Sequence, residues 1–405
     1  MLNKVVDSAV GRWVNRVRNE SNLPVRLTLW TGQTFNLGWH DNPTVHIRVK
    51  DPSAIPALLN PSLDTLGEAY VQQKIDVDGT LQGVINAAYG LSETGGDSSS
   101  VVSSLAKRFA HTKKEDKQAI QYHYDVSNEF YALWLDERMV YSCAYFETGD
   151  ETLDEAQVKK IDHILDKIRV ESDSTLLDIG CGWGALVIRA AQRFGVRCVG
   201  ITLSERQFEL ATERVKQAGL SHLIEIRMQD YRDTTGSFDR ITSVGMFEHV
   251  GMANLPEYFR KIHHLLAESG IAMNHGITAT DANSGDTPLG GGTFIDKYVF
   301  PAGELPHISL ALKAMQGGGL EALDVENLRR HYARTLNIWS DRYERAGERI
   351  RRMIGEEKYR IWRVYLAGCA HAFDVDNVAI YQIVCQKSAK PSSTIPWSRR
   401  YMYAA

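Results

Sequence analysis

Hydrophobic and polar positions follow two different rhythms along this chain. Over residues 25–50, short runs such as "VRLTLW" and "TVHIRV", rich in β-branched and large apolar residues and separated by Gly and Asn, predict strands. Residues 52–91 read as helices. At the N-terminus, Val6, Val10, Trp13, Val14 and Val17 recur at helical spacing, with Lys4, Arg12, Arg16 and Arg18 among them. Such a helix packs on its own domain or a dimer mate, or lies as a basic surface helix on an anionic membrane. The segment "SETGGDSSSVVSS", residues 92–104, is small and polar, and "KRFAHTKKEDKQ", residues 107–118, is charged. A linker over 92–116 therefore divides an N-terminal domain, 1–91, from a second domain, 117–405.

Beyond residue 150 the pattern alternates. "ETLDEAQVKKIDHILDKI" opens with a capping box, Thr152 to Glu155, and continues as an amphipathic helix. Strand 176–179, helix 185–194 closed by Gly195, and strand 196–201 follow. The next helix has a capping-box pattern, Ser204 to Gln207, and stops at Gly219. "LIEIRM", "FDRITSV" and "GIAMNHGI" supply three strands, with "LPEYFRKIHHLLAE" as the helix before the last. Residues 302–374 read as mostly helical, and "VAIYQIVCQ", 378–386, as a closing strand. This alternation predicts an α/β fold: a doubly wound, Rossmann-like, largely parallel sheet with a helical insertion, preceded by a smaller α+β domain. Ligands are expected at the carboxyl ends of its strands.

Composition narrows the picture only a little. The 405 residues are 43% hydrophobic and 24% charged, as in an ordinary globular protein. A net charge of −4 gives no global attraction to nucleic acid, so no nucleic-acid partner is expected. The cysteines, Cys143, Cys181, Cys198, Cys369 and Cys385, form no CxxC pair and no zinc spacing, so no metal site is expected and a reducing cytoplasm is inferred. No apolar run reaches the length of a membrane span, and the charged N-terminus is not a signal peptide.

The candidate chemistry centres on "LLDIGCGWGAL", residues 176–186. Gly180, Gly182 and Gly184 give GxGxG after a strand and before a helix, and Ala185 also satisfies the looser dinucleotide pattern. Alone, the motif fits either class of cofactor, or a tight turn that binds nothing. Its surroundings favour S-adenosylmethionine. The second strand ends in Thr202 without the acid that a dinucleotide ribose requires. Asp178, Thr202, Gln207, Gln229 and Asp230 stand on successive strand ends, where they can meet an ammonium, ribose hydroxyls and an adenine amino group.

"YHYDVSNEFYALWLDERMVYSCAYF", "LLDIGCGWGAL", "GITLSERQ", "MFEHVG", "NHGI", "FIDKYVFPAGELP", "HYARTLNIW" and "YLAGCAHAF" stand in an order that resembles the cyclopropane-fatty-acyl-phospholipid synthases. The mycolic acid cyclopropane synthases are similar across residues 118–386, and "LGEAYVQQKIDVDG" extends the likeness to the N-terminal part. The resemblance implies methylene transfer from S-adenosylmethionine to a cis double bond of a phospholipid acyl chain. It implies that Tyr141 and Ser142 contact the cosubstrate together with the residues above. It further implies a bicarbonate ion held by Glu248, His275 and Tyr332, with Cys143 and Ile277 acting through their backbone. Cys369 lies in a motif once suspected of supplying a nucleophile, but the chemistry needs none. The expected setting is cytoplasmic, peripheral on the inner membrane face, with a homodimer built on the N-terminal domain. Ala302, Glu304 and the Gly290–Gly292 run depart from the family pattern near the expected acyl-chain access, which bears on chain selectivity.

Attack of an alkene on the activated methyl leaves a carbocation, which aromatic faces can stabilise by about 2 kcal/mol when desolvated. Tyr141, Tyr145, Phe146, Phe247 and Tyr298 are candidates, each also readable as a core aromatic. His249 reads as a packing or capping neighbour of Glu248. Three rival functions share parts of the pattern: a small-molecule N- or C-methyltransferase, a lipid methyl- or methylene-branching enzyme, and a noncatalytic lipid-binding module. The N-terminal domain argues against the first, and Glu248, His275 and Tyr332 against the third.

Overall fold

The computed structural model describes residues 2–95, 126–282, 292–299, 303–388 and 395–403, with side chains from residue 9 onward. Most of the expected linker, including "KRFAHTKK" and Lys117, lies outside the described residues, as do Gly290, Gly291, Ala302 and the side chains of Lys4 and Val6. The chain forms two compact units: one from 1–103, 286–301 and 347–371, the other from 104–285, 302–346 and 372–405.

The first unit is built on a four-stranded sheet of order β2-β1-β3-β4, with β1 at Val25–Thr28, β2 at Thr34–Asn36, β3 at Val45–Val49 and β4 at Ile75–Asp78. The N-terminal helix Leu2–Glu20 turns Val10, Trp13, Val14 and Val17 into the core formed with Leu27, Ile47 and Leu58. Its apolar face is therefore engaged within its own unit and cannot enter a lipid surface. Residues 52–91 are not wholly helical. The run "IDVD" forms β4, antiparallel to β3, between the helices Leu63–Val71 and Leu81–Ser92. Two segments distant in sequence complete this unit. The Phe294 N–H donates to Asp64 Oδ1 at 2.7 Å. Arg360, 7% exposed, donates to the Tyr70 and Ile75 carbonyls and to Asp76 Oδ1. A reading along the chain places both segments beside the catalytic residues, because long-range hydrogen bonds leave no local signal.

The second unit is a seven-stranded sheet of order β10-β11-β9-β8-β5-β6-β7. Its strands are β5 Thr175–Ile179, β6 Arg197–Thr202, β7 Ile224–Met228, β8 Phe238–Val244, β9 Leu266–Ala279, β10 Leu320–Asn327 and β11 Val378–Lys387. The five strands β7-β6-β5-β8-β9 run parallel, and β11 is antiparallel to both β9 and β10. This is the expected doubly wound sheet, with one strand more than the pattern predicts. "LEALDVEN" forms β10 inside a stretch read as helical, and its acids Asp324 and Glu326 pair with the buried Lys167. The box at Thr152–Glu155 forms in both directions and starts the helix Leu153–Lys167. At Ser204 only one half forms. Ser204 caps the Gln207 N–H of the helix Glu205–Gln217, while Gln207 Oε1 accepts instead from Thr202 Oγ1 at 2.8 Å.

Candidate active site

The strand-to-helix turn after β5 is shaped by its glycines. Gly180, Gly182 and Gly184 all adopt positive φ, at 80°, 54° and 84°. A side chain at Gly180 would also strike Met246, 2.6 Å from where its Cβ would stand. The turn is pinned to β6, with the Gly180 and Cys181 N–H groups donating to the Ile201 carbonyl. Gly184 then starts the helix Ala185–Phe194, which Gly195 ends at a φ of 68°. Backbone is left exposed at a helix N-terminus beside a cavity of about 130 Å³.

That cavity collects residues from four strand ends. Tyr141, Ser142, Asp178, Gly180, Gly182, Thr202, Gln207 and Gln229 all line it. Asp178 is buried on β5 and accepts from Thr242 Oγ1 at 2.7 Å, and burial raises its pKa to about 6. Gln229 gives its amide N–H to the Asp233 carbonyl and keeps Oε1 buried without a partner, an acceptor suited to an amino group. Gly184 and Asp230 do not line the cavity. Gly184 serves as the helix cap, and Asp230 is bound by the Arg232 guanidinium and the Arg232 N–H. Among the lining residues not read from the sequence as cofactor contacts are His249 and Lys160. His249 lies in a short 3₁₀ turn, Phe247–His249, which brings its ring to the wall. Lys160 is 2% exposed on the helix Leu153–Lys167, where the amphipathic pattern gives no sign of a buried cation.

A second polar cluster forms where β8 ends against β9. The Gly245 N–H donates to the His275 carbonyl at 2.8 Å, and the Ile277 N–H donates to Glu248 Oε1 at 2.7 Å. Between them the Phe247 ring covers Gly276, where a Cβ would come within 2.4 Å of the ring. Glu248 is buried, its Oε2 has no partner, and burial raises its pKa to about 7. His275 is 1% exposed with both ring nitrogens unpartnered, and burial holds its pKa well below the usual imidazole range. Ile277 therefore uses its amide on Glu248.

Cys143 and Tyr332 meet at Leu328. The Leu328 carbonyl accepts from Cys143 Sγ at 3.7 Å and from the Tyr332 N–H at 3.0 Å. The Leu328 N–H donates to Ile380, which lies opposite Ile277 across β11 and β9. Glu248, Ile277, Cys143 and Tyr332 are thus linked through a short chain of backbone contacts, with His275 two residues from Ile277. Burial pushes the Cys143 thiol far up, which argues against a thiolate nucleophile. Cys369 lies in the first unit with its pKa pushed up to about 12.

The aromatic candidates separate. Tyr141 lines the cavity and packs on Tyr131, Trp134 and Trp339. Tyr145 is stacked between His163 and His331, Phe146 lies under Arg334, and Tyr298 belongs to the first unit.

Comparison with known proteins agrees with this geometry. Residues 111–383 match the family described as mycolic acid cyclopropane synthetase, and residues 13–99 match a domain of unknown function. A probable fatty acid methyltransferase of Pseudomonas putida is 45% identical over 94% of this chain and 97% of its own. Cyclopropane mycolic acid synthase 1 of Mycobacterium tuberculosis is 35% identical over 66% of this chain and 96% of its own. The crystal structure of mycolic acid cyclopropane synthase CmaA1 complexed with SAH and CTAB superposes with a TM-score of 0.64 at 34% identity, covering 67% of this chain and 98% of that one. The chain belongs to the mycolic acid cyclopropane synthetase family of S-adenosylmethionine-dependent methyltransferases that modify lipid acyl chains. The SAH-complexed structure supports S-adenosylmethionine as the cosubstrate.

Proposed function

We propose that the protein transfers a methylene group from S-adenosylmethionine to a cis double bond of a phospholipid acyl chain, forming a cyclopropane. S-adenosylmethionine supplies the activated methyl. An isolated alkene is a weak nucleophile, so the protein's task is to align the two and exclude water. The reaction's site is the cavity beside the glycine turn, whose wall includes Tyr141; an aromatic face can stabilise a developing positive charge.

The observation that carries the proposal is that Glu248, in the turn after β8, and His275, on the neighbouring β9, each bury polar atoms without a partner. A carboxylate oxygen and two ring nitrogens, all buried and all without protein partners, are expensive unless a ligand or ordered water uses them. Glu248, at a pKa of about 7, offers either an acceptor or a proton, and His275 stays neutral, with one nitrogen a donor and the other an acceptor. That donor set fits a small oxyacid anion such as bicarbonate, which would supply the acceptor for the proton lost on ring closure. Glu248 and His275 would hold it, with Tyr332 and Cys143 alongside and Ile277 fixing the Glu248 carboxylate.

The substrate lies in a bilayer, so the proposal includes peripheral docking on the inner membrane face, and a dimer through the first unit. The N-terminal helix supports docking by charge alone: Arg12 and Arg16 are exposed, and each basic residue near an anionic surface is worth about 1 kcal/mol. Depleting the buffer of carbon dioxide tests the oxyanion. Turnover on vesicles should fall and return on adding bicarbonate, with S-adenosylhomocysteine affinity unchanged. Turnover indifferent to bicarbonate would remove this part of the reading.

A further inference from the structure

Among the described residues lining the cavity beside the glycine turn, Lys160 is the only lysine or arginine. The helix Leu153–Lys167 carries it there, one turn after Gln157. Gln157 Nε2 donates to the Val140 and Ser142 carbonyls, and one turn later Lys160 Nζ donates to Ser142 Oγ at 2.9 Å. That hydroxyl is the only hydrogen-bond partner of Lys160 among the described residues. Asp178 and Asp136 act on it only through longer-range attraction, and burial lowers its pKa to about 8. A buried ammonium with three protons and one neutral acceptor is poorly compensated. Its surroundings call for an anion delivered from the cavity.

S-adenosylmethionine carries a sulfonium, an α-ammonium and one anionic group, the carboxylate of its methionine end. We infer that Lys160 and Ser142 together bind that carboxylate, making Lys160 a cosubstrate-binding residue rather than a tether for the 140–142 loop. Asp178, on the wall of the same cavity, then faces the ammonium end with the opposite charge. Reading the cavity from the lysine upward orients the cosubstrate: methionine end toward Ser142 and Lys160, adenine toward the unpartnered Gln229 Oε1. The inference rests on the S-adenosylmethionine assignment of this cavity.

The test compares S-adenosylhomocysteine with its decarboxylated analogue by calorimetry on the full-length protein. The wild type should prefer the carboxylate-bearing ligand by about 100-fold, the discrimination expected of a desolvated charge pair. Lys160→Met should lose that preference by weakening S-adenosylhomocysteine while leaving the decarboxylated ligand within about twofold, and Lys160→Arg should restore part of it. Equal weakening of both ligands by Lys160→Met would reduce the residue to a loop tether and overturn the inference. So would a wild type that binds the two ligands alike, a result that does not depend on any variant folding. Failure of the wild type to bind either ligand would instead strike the cosubstrate assignment itself.

Discussion

Glu248 and Ile277 are joined by a 2.7 Å hydrogen bond, the Ile277 N–H donating to Oε1 of a carboxylate whose other oxygen is buried and unpartnered. One oxygen is thus fixed by the sheet and the other is left for a ligand. Glu248→Gln should keep the shape and the Oε1 bond but lose the charge. S-adenosylhomocysteine affinity should stay within about twofold while turnover falls by about 10²–10⁴, the usual weight of proton-transfer catalysis. Equal loss of affinity and turnover would make Glu248 a structural residue.

The two buried carboxyls also set a pH dependence of stability. Burial raises Asp178 to about 6 and Glu248 to about 7, above their ordinary values of 3.8 and 4.5. The unfolded chain therefore ionises these groups before the folded one does. Their contribution is fully present below about pH 4 and is lost as pH rises through 6 and 7. For Glu248 the loss amounts to ~3 kcal/mol by linkage. Because the buried neutral His275 acts with the opposite sign, the readout is a difference: in denaturant titrations of the ligand-free protein, the wild type should lose stability relative to Glu248→Gln as pH rises from about 4 to about 7. A slope unchanged by the substitution would place the ionisation elsewhere.

Phe247 and Gly276 make a contact that tolerates no side chain. Gly276→Ala should push the ring, and with it Glu248, away from Ile277, destabilising the protein by about 1–3 kcal/mol through overpacking. Phe247→Leu in the same chain should recover much of the melting temperature by making room. A Gly276→Ala protein as stable and active as the wild type would show that the turn at Phe247 is not held as described.

Cys143 donates its thiol to the Ala144 and Leu328 carbonyls, bonds that a serine hydroxyl can replace. Cys143→Ser should retain at least roughly half of the turnover, since no step uses a thiolate. Loss of activity with intact cosubstrate binding would reopen covalent catalysis.

The sheet from β5 to β9 was legible because buried parallel strands read as apolar runs and their helices carry caps such as Thr152 with Glu155. The two missed strands share a physical cause. β4 and β10 alternate acids with apolar residues, and the acids are answered by Lys50 and Arg360 in one case and Lys167 and Arg399 in the other. Partners so far away in sequence cannot be inferred from a window of residues. The same limit hid Lys160, which on a helical pattern reads as a solvated face. Asp230 differs for a local reason: its carboxylate is taken by Arg232 two residues on, and it does not line the cavity. The glycine turn, Asp178 and Gln229 were legible because they stand at strand ends, while Glu248 sits in the turn after β8 and His275 within β9.

The central claim is tested most directly on the purified protein with trideuteromethyl S-adenosylmethionine and vesicles of a cis-monounsaturated phospholipid, followed by mass spectrometry of the acyl chains. A cyclopropane requires that the added carbon keep two deuteriums and give the third to solvent, and that the product resist mild catalytic hydrogenation. Retention of all three deuteriums in a methyl branch, a product that takes up hydrogen, or unmodified lipid beside a methylated small molecule would contradict the account.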